Sequence, residues 1–198
     1  MKIIVWGNDE QVVALKKGSI NINWIRLSNP TAWVDYPDAC AFFDLSGMIS
    51  DYGNTYPVFV NKVHESLPQQ ANLIRMNGWP GFIENDTWEI TGKIDQAVID
   101  VLNALDKKYI ACADEPGLIS ARIIAMIINE AYLAIEEDVS TEEEIDIAMK
   151  LGTNYPNGPF EWAKKIGLQP IHQLLTVLAK HDKRYTAASS INKIIANY

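Results

Sequence analysis

DEPGLISARIIAMIINEAYLAIEEDVSTEEEIDIAMKLGTNYPNGPFEW, residues 114–162, decides how this chain is read. Pro116-Gly117 opens a long helix in which Ile119, Ile123, Met126, Ile127, Ala131 and Ile135 recur at helical spacing. Ser140 followed by Glu143 is a capping-box pattern ahead of a helix at 145–150. Gly152 is expected to stop that helix. GPFEWAKKIG then places Pro159 in the first turn of another helix. Gly167 separates it from a helix at 168–180, and a short one follows at 189–196. In GTNYPNGPFEW, Gly152 and Gly158 permit positive φ, Pro156 and Pro159 stiffen a tight turn, and Phe160 and Trp162 can bury large areas. Asn129 and Glu130 read as structural hydrogen-bonding groups of the long helix.

Upstream the pattern changes to short apolar runs between turn residues. Strands are expected at 2–6, 22–27, 39–44, 57–61, 73–76, 87–90 and 109–112. A short helix fits 9–16, and a better one fits 94–106, with Ile94, Val98, Val101, Leu102 and Leu105 on one face. Strands alternating with crossovers imply a mostly parallel sheet, small and irregular because the crossovers are short. The expected organisation is an α/β domain at 1–113 and a helical domain at 114–198. No internal repeat or long linker interrupts them.

The chain has 198 residues, 48% apolar and 21% charged, the composition of an ordinary globular protein. Its net charge of −8 speaks against non-specific binding to nucleic acid or anionic membrane. Met1-Lys2 runs directly into an apolar strand, unlike a signal peptide, and the longest apolar run, 123–128, is too short to span a bilayer. Cys40 and Cys112 sit in strand-like contexts and read as buried, reduced thiols of a cytoplasmic protein. No spacing of His, Cys, Asp and Glu suggests a metal site.

The order PGLI–R–INEAY–E–ID–AMK–GTNYP–GPFEW closely resembles the C-terminal helical domain of 3-hydroxyacyl-CoA dehydrogenases, enzymes of fatty-acid metabolism. The resemblance implies a Rossmann-type NAD domain in front of the helices and catalysis between the two. It also implies a homodimer formed through the helices and an acyl-CoA cleft. In the family a histidine takes the hydroxyl proton while hydride leaves for the nicotinamide, and a glutamate orients that histidine. The terminal RYTAASS, 184–190, resembles the family's Arg-Tyr stretch that holds the tail against the helices.

The front half departs from that pattern. After the strand IIVW the family's G-x-G-x-x-G is replaced by GNDEQV. Gly7 matches the first glycine, but Asp9, Glu10 and Gln11 fill the rest, and an ordinary turn capped by Asn8 or Asp9 explains the stretch. The acidic ribose ligand is absent from RLSNP. IRMNGWPGFIENDTWEITG aligns with the segment carrying the catalytic pair: Glu89 falls on the glutamate, whereas Asn77 stands in place of the histidine. An amide cannot act as the base, a loss of about 10²–10⁴-fold. Arg122 matches the family arginine, but Ala121 replaces the substrate-binding Asn. In KVHESL only Ser66 and Leu67 fit the substrate-contacting Ser stretch. His64 is the one histidine placed to substitute as base; His172 and His181 read as packing or solvated side chains.

Three readings follow. One is a degenerate homologue, a pseudoenzyme without normal NAD binding that keeps the dimeric helical domain and an acyl-CoA or small-ligand cleft. Another is an active 3-hydroxyacyl-CoA oxidoreductase with NAD bound unconventionally and Glu89 or His64 as base. The third is a purely structural or partner-binding dimer, which exposed tryptophans at Trp24, Trp33 and Trp79 would support.

Overall fold

The computed structural model describes residues 1–18, 21–48, 51–53, 55–66 and 70–197. The chain divides into two compact units, Met1–Leu118 and Ile119–Tyr198. The division falls after Leu118 rather than after Ala113. The reason is local: residues 114–117 are tied to the sheet unit by Arg75, which donates to the Glu115 carbonyl (2.6 Å), and by Gly117 N–H, which donates to the Val63 carbonyl (2.7 Å).

The first unit is a seven-stranded sheet. Its strands are β1 (Lys2–Trp6), β2 (Asn23–Arg26), β3 (Ala41–Asp44), β4 (Val58–Asn61), β5 (Leu73–Met76), β6 (Thr87–Gly92) and β7 (Lys108–Ala111). Their order is β2-β1-β3-β4-β5-β6-β7. The first five run parallel, β6 pairs antiparallel with β5, and β7 parallels β6. The sheet is mostly parallel as expected, yet continuous rather than small and irregular. Every residue of AFFD and LIRM is buried, the unbroken burial a parallel strand covered on both faces requires.

Two different materials cover those faces. On one, α1 (Asp9–Lys16) and α2 (Gln96–Ala104) pack Val12, Leu15, Val98 and Leu102 against Phe43, Phe59, Met76 and Trp88. Phe43 and Phe59 stack there, with centroids 4.5 Å apart. On the other, Phe42, Val58 and Val60 are covered by Leu27, Ala39, Tyr52 and Tyr56, with Trp33 and Tyr36 beside them. These come from loops and a single 3-10 turn, Ala32–Asp35. Large aromatic side chains therefore do the covering that crossover helices do elsewhere, which explains how such short connections suffice. Trp79 is buried, Trp24 and Trp33 are half-buried, and Trp24 packs on Phe43. Trp24 and Trp33 pack on the core and Trp79 is buried, so the three do not form the exposed aromatic surface considered above.

The second unit contains α3 (Ser120–Glu136), α4 (Glu142–Thr153), α5 (Pro159–Ile166), α6 (Leu168–Ala179) and α7 (Ser189–Ala196). Two expected boundaries move. The N-cap of α4 is Thr141 paired with Glu144, not Ser140 with Glu143, because the Thr141 hydroxyl accepts from Glu144 N–H. The helix also runs through Gly152 and ends at Asn154, whose short side chain tolerates the left-handed φ of 56°. Asn129 is structural, as read: it donates to the Thr186 carbonyl (3.0 Å) and accepts from Ala188 N–H (2.8 Å), fixing the tail to α3.

The GTNYPNGPFEW segment is explained by one buried carboxylate. Asp146 of α4 accepts from Phe160 N–H (2.8 Å) and Glu161 N–H (3.2 Å), so one helix caps the start of the next. Gly158 has φ −74°, so positive φ is not what it supplies. A Cβ there would lie 2.2 Å from Asp146 Oδ1 and 2.5 Å from its Cα. Lys150, one turn after Asp146, pairs with Glu161.

Candidate functional site

In an open α/β sheet the site lies beyond the carboxyl ends of the parallel strands, where the strand order reverses. Here the reversal is at β1, flanked by β2 and β3. The turn after β1 carries Gly7, followed by the start of α1. Asn8 caps that helix reciprocally with Gln11: Gln11 N–H donates to Asn8 Oδ1 (2.8 Å), and Asn8 N–H donates to Gln11 Oε1 (3.3 Å). Asp9 and Glu10 occupy the first turn. Arg26, at the end of β2, pairs with Asp9 and donates to the Gly7 carbonyl (3.1 Å).

Beside Gly7 the protein packs one of its own side chains closely. A Cβ on Gly7 would meet Leu45 Cβ at 2.8 Å, so this glycine makes room for Leu45. The Leu45 carbonyl in turn accepts from Gln11 Nε2 (2.9 Å) and Asn61 Nδ2 (3.0 Å), while Asn61 Oδ1 accepts from Gly78 N–H (3.0 Å). Side-chain amides thus lace together the carboxyl ends of β3, β4 and β5. Asp44, fully buried at the end of β3, accepts from Ser46 N–H, the Ser46 hydroxyl and the Tyr52 hydroxyl (2.8 Å). NAD, which the fold family implies, does not fit these residues. The cradle glycines are absent, the first-turn amide of Gln11 is already bonded, and Asp9 and Glu10 put two carboxylates in the first turn.

The second group lies along the same edge, at β5 and β6. The antiparallel register pairs Met76 with Ile90, which puts Asn77 opposite Glu89. The two positions implied as the catalytic pair are therefore neighbours across two strands. Asn77 is buried; its Oδ1 accepts from Trp79 N–H (3.2 Å), and its Nδ2 has no hydrogen-bond partner among the described residues. Glu89 is half-buried. Burial pushes the Cys112 thiol up, with Glu89 adding to the effect and Arg75 opposing it, so these three groups share one electrostatic environment.

No motif marks Arg75, the one charge in LIRM, as part of this edge. It is completely buried and donates to the carbonyls of Glu65 (2.8 Å) and Glu115 (2.6 Å). Its Nε lies 2.9 Å from Asp114 Oδ1 as an ion-pair contact. Burial lowers its pKa from the ordinary value, and Asp114 works against that shift. Ser66 donates to the Asp114 carbonyl (2.9 Å), so it serves this same clamp; Leu67 lies outside the described residues. His64 Nε2 sits 3.2 Å from Glu65, its own neighbour. The Glu65 carboxyl is held below its usual range, first by its hydrogen bond to Lys62. Ala121, fully buried, and Arg122, half-buried, lie in the first turn of α3 in the helical unit. Among the described residues no His/Cys/Asp/Glu group could hold a metal ion. Cys40 is exposed and Cys112 half-buried, both free; they are not the buried thiols expected, because each lies just outside its strand.

A Rossmann-type sheet carrying this edge, followed by five helices with a carboxylate-capped GPFEW turn, defines the class of protein. Residues 117–197 match the family described as 3-hydroxyacyl-CoA dehydrogenase, C-terminal domain. The 3-hydroxyadipyl-CoA dehydrogenase of Escherichia coli K12 is 43% identical over 89 residues, 44% of this chain and 19% of that protein. The 3-hydroxybutyryl-CoA dehydrogenase of Clostridioides difficile is 32% identical over 150 residues, 72% of this chain and 53% of that protein. The crystal structure of (S)-3-hydroxybutyryl-CoA dehydrogenase PaaH1 from Ralstonia eutropha superimposes with a TM-score of 0.70 at 19% identity. It covers 99% of this chain and 93% of that one, and it supports the fold alone. The chain belongs to the 3-hydroxyacyl-CoA dehydrogenase family. It spans about half or less of the length of the curated relatives it matches.

Proposed function

We propose that this chain is a member of the 3-hydroxyacyl-CoA dehydrogenase family that does not transfer hydride by itself, and that it acts as an acyl-CoA-binding, dimeric relative of the enzymes. The observation that carries this reading is Leu45 packed on Gly7 beneath the Gln11 and Asn61 amides, where a pyrophosphate would have to sit. The buried Asn77 Nδ2 supports the acyl-CoA part. An unpaired buried donor costs roughly 1–3 kcal/mol, and a thioester or keto oxygen would satisfy it. As an amide, Asn77 can donate to such an oxygen but cannot take its proton.

Dimerisation is the second element of the reading. Ile119, the N-cap residue of α3, and Ile123 in its first turn leave 45% and 49% of their surface exposed, an apolar patch suited to a second copy. Two free cysteines, and no helix among the described residues long and apolar enough to cross a membrane, agree with a cytoplasmic setting.

Titration of the purified chain with NADH, followed by nicotinamide fluorescence, tests the reading; saturable micromolar binding would overturn it. Glu89 beside Asn77 favours one alternative, an oxidoreductase using Glu89 as base with NAD bound elsewhere. The same titration separates the two. Thermal shifts with CoA and acetoacetyl-CoA test the cleft, since a ligand at 100 times its dissociation constant adds about 2.7 kcal/mol.

A further inference from the structure

We propose that the helical unit carries a ligand pocket of its own, at the corner where α5 meets α6, that takes a single-chain carboxylate of medium length. The pocket lies wholly among residues of the second unit and depends on nothing in the sheet unit. Its volume is about 540 Å³, within the range of small-molecule sites. Tyr132 and Phe160 form one wall, their ring centroids 5.0 Å apart. Leu168, Ala163, Ile194 and Ile195 supply the rest of the apolar lining.

The polar groups are not symmetric around it. Lys164 stands exposed at the rim, and α6 begins in the lining itself, at Gly167, without a side-chain cap. The positive end of a twelve-residue helix and a lysine therefore face the same opening. Glu142 stands beside Tyr132; burial raises the phenol's pKa, and the Glu142 charge adds to that. An anionic head group is drawn to Lys164 and the α6 start and repelled by Glu142, which leaves its chain to run over Phe160 and the two isoleucines. A cationic head meets the wrong helix end, and a neutral one gains nothing from Lys164. The last wall is α7, eight residues tethered at its beginning by Ala188 N–H on Asn129 Oδ1 and Ser190 N–H on Glu136. Ile194 and Ile195 lie near its other end.

Isothermal titration of the whole chain with decanoate tests the proposal, with decanol as the uncharged control. Expected are one decanoate per chain, weaker binding of decanol, and a loss of roughly fivefold or more for decanoate in Lys164→Glu. Decanol should be indifferent to that substitution. Ile195→Trp should fill the pocket and abolish binding while its far-UV melt stays that of the parent. Should that variant unfold, the Lys164→Glu and decanol comparison decides alone. No saturation by about 1 mM decanoate, equal affinity for decanol, or an unchanged Lys164→Glu would each overturn the proposal. So would sedimentation showing that Ile195→Trp splits a dimer that decanoate does not bind, because the groove would then belong to a second copy.

Discussion

Removing the Asp146 carboxylate is the sharpest perturbation of the helical unit. The side chain is buried, with 8% of the residue exposed, and its two oxygens receive the Phe160 and Glu161 amides at 2.8 and 3.2 Å. Hydrogen bonds to a charged acceptor contribute about 1.5–3 kcal/mol, and loss of a helix cap about 0.5–2 kcal/mol. The second bond is long, so Asp146→Ala is expected to destabilise by about 3 kcal/mol. For a chain of this size that corresponds to a fall in melting temperature of roughly 6–12 °C. Asp146→Asn keeps one neutral acceptor for Phe160 and should lose about half as much. The assay is urea unfolding followed by far-UV circular dichroism, with melting scans as a check. Gly158→Ala should be worse than either, because the added Cβ meets the Asp146 backbone at 2.5 Å as well as its carboxylate and forces α4 and α5 apart. An Asp146→Ala protein melting within about 2 °C of the parent would refute the cap as the link between these helices.

Gly7→Ala should destabilise by about 1–3 kcal/mol through overpacking on Leu45, with no change in the response to NADH; a neutral effect in denaturant titration would mean Leu45 can yield. Arg75→Met should cost about 2–4 kcal/mol, since it leaves the carbonyls of Glu65 and Glu115 without their donor while the part-exposed Asp114 is taken up by water, and proteolysis near 113–118 should quicken as that segment loosens. Asn77→His should produce no NAD reduction with 3-hydroxybutyryl-CoA, because the base would return without a nucleotide site; measurable absorbance of NADH would contradict this. On acidification the helical unit should lose stability. Glu161 is held below the ordinary value of 4.5, first by Lys150, and Glu144 likewise, first by the Ser140 hydroxyl. Their folded pKa values are depressed, so the stability they add is present above 4.5 and lost as pH falls through the folded values. Melting midpoints should drop between about pH 5 and pH 3, and Glu161→Gln should flatten that drop.

Much of the fold was legible because its signals are local. Hydrophobic spacing in IIAMIINEAYLAI, proline at the start of α5, and Asn8 before DEQV act within a few residues, and the helices 9–16 and 189–196 fall where periodicity puts them. The one-residue slip of the α4 cap from Ser140 to Thr141 is the same signal read at the wrong member of a Ser-Thr pair. What local patterning could not give was which groups meet. Nothing in GNDEQV shows that Leu45 fills the place of a missing glycine cradle, and nothing in LIRM shows that its arginine clamps the segment at 114–117.

The sequence by itself determined the family and the sheet-then-helix order, because alignment and period carry those. Only the tertiary structure decided what the glycines and the carboxylate of 114–162 are for, and what occupies the carboxyl edge of the sheet. Those depend on approaches of two to three ångströms between side chains far apart in the chain, such as Gly158 to Asp146 and Gly7 to Leu45. Spacing along a sequence does not encode such distances; packing does.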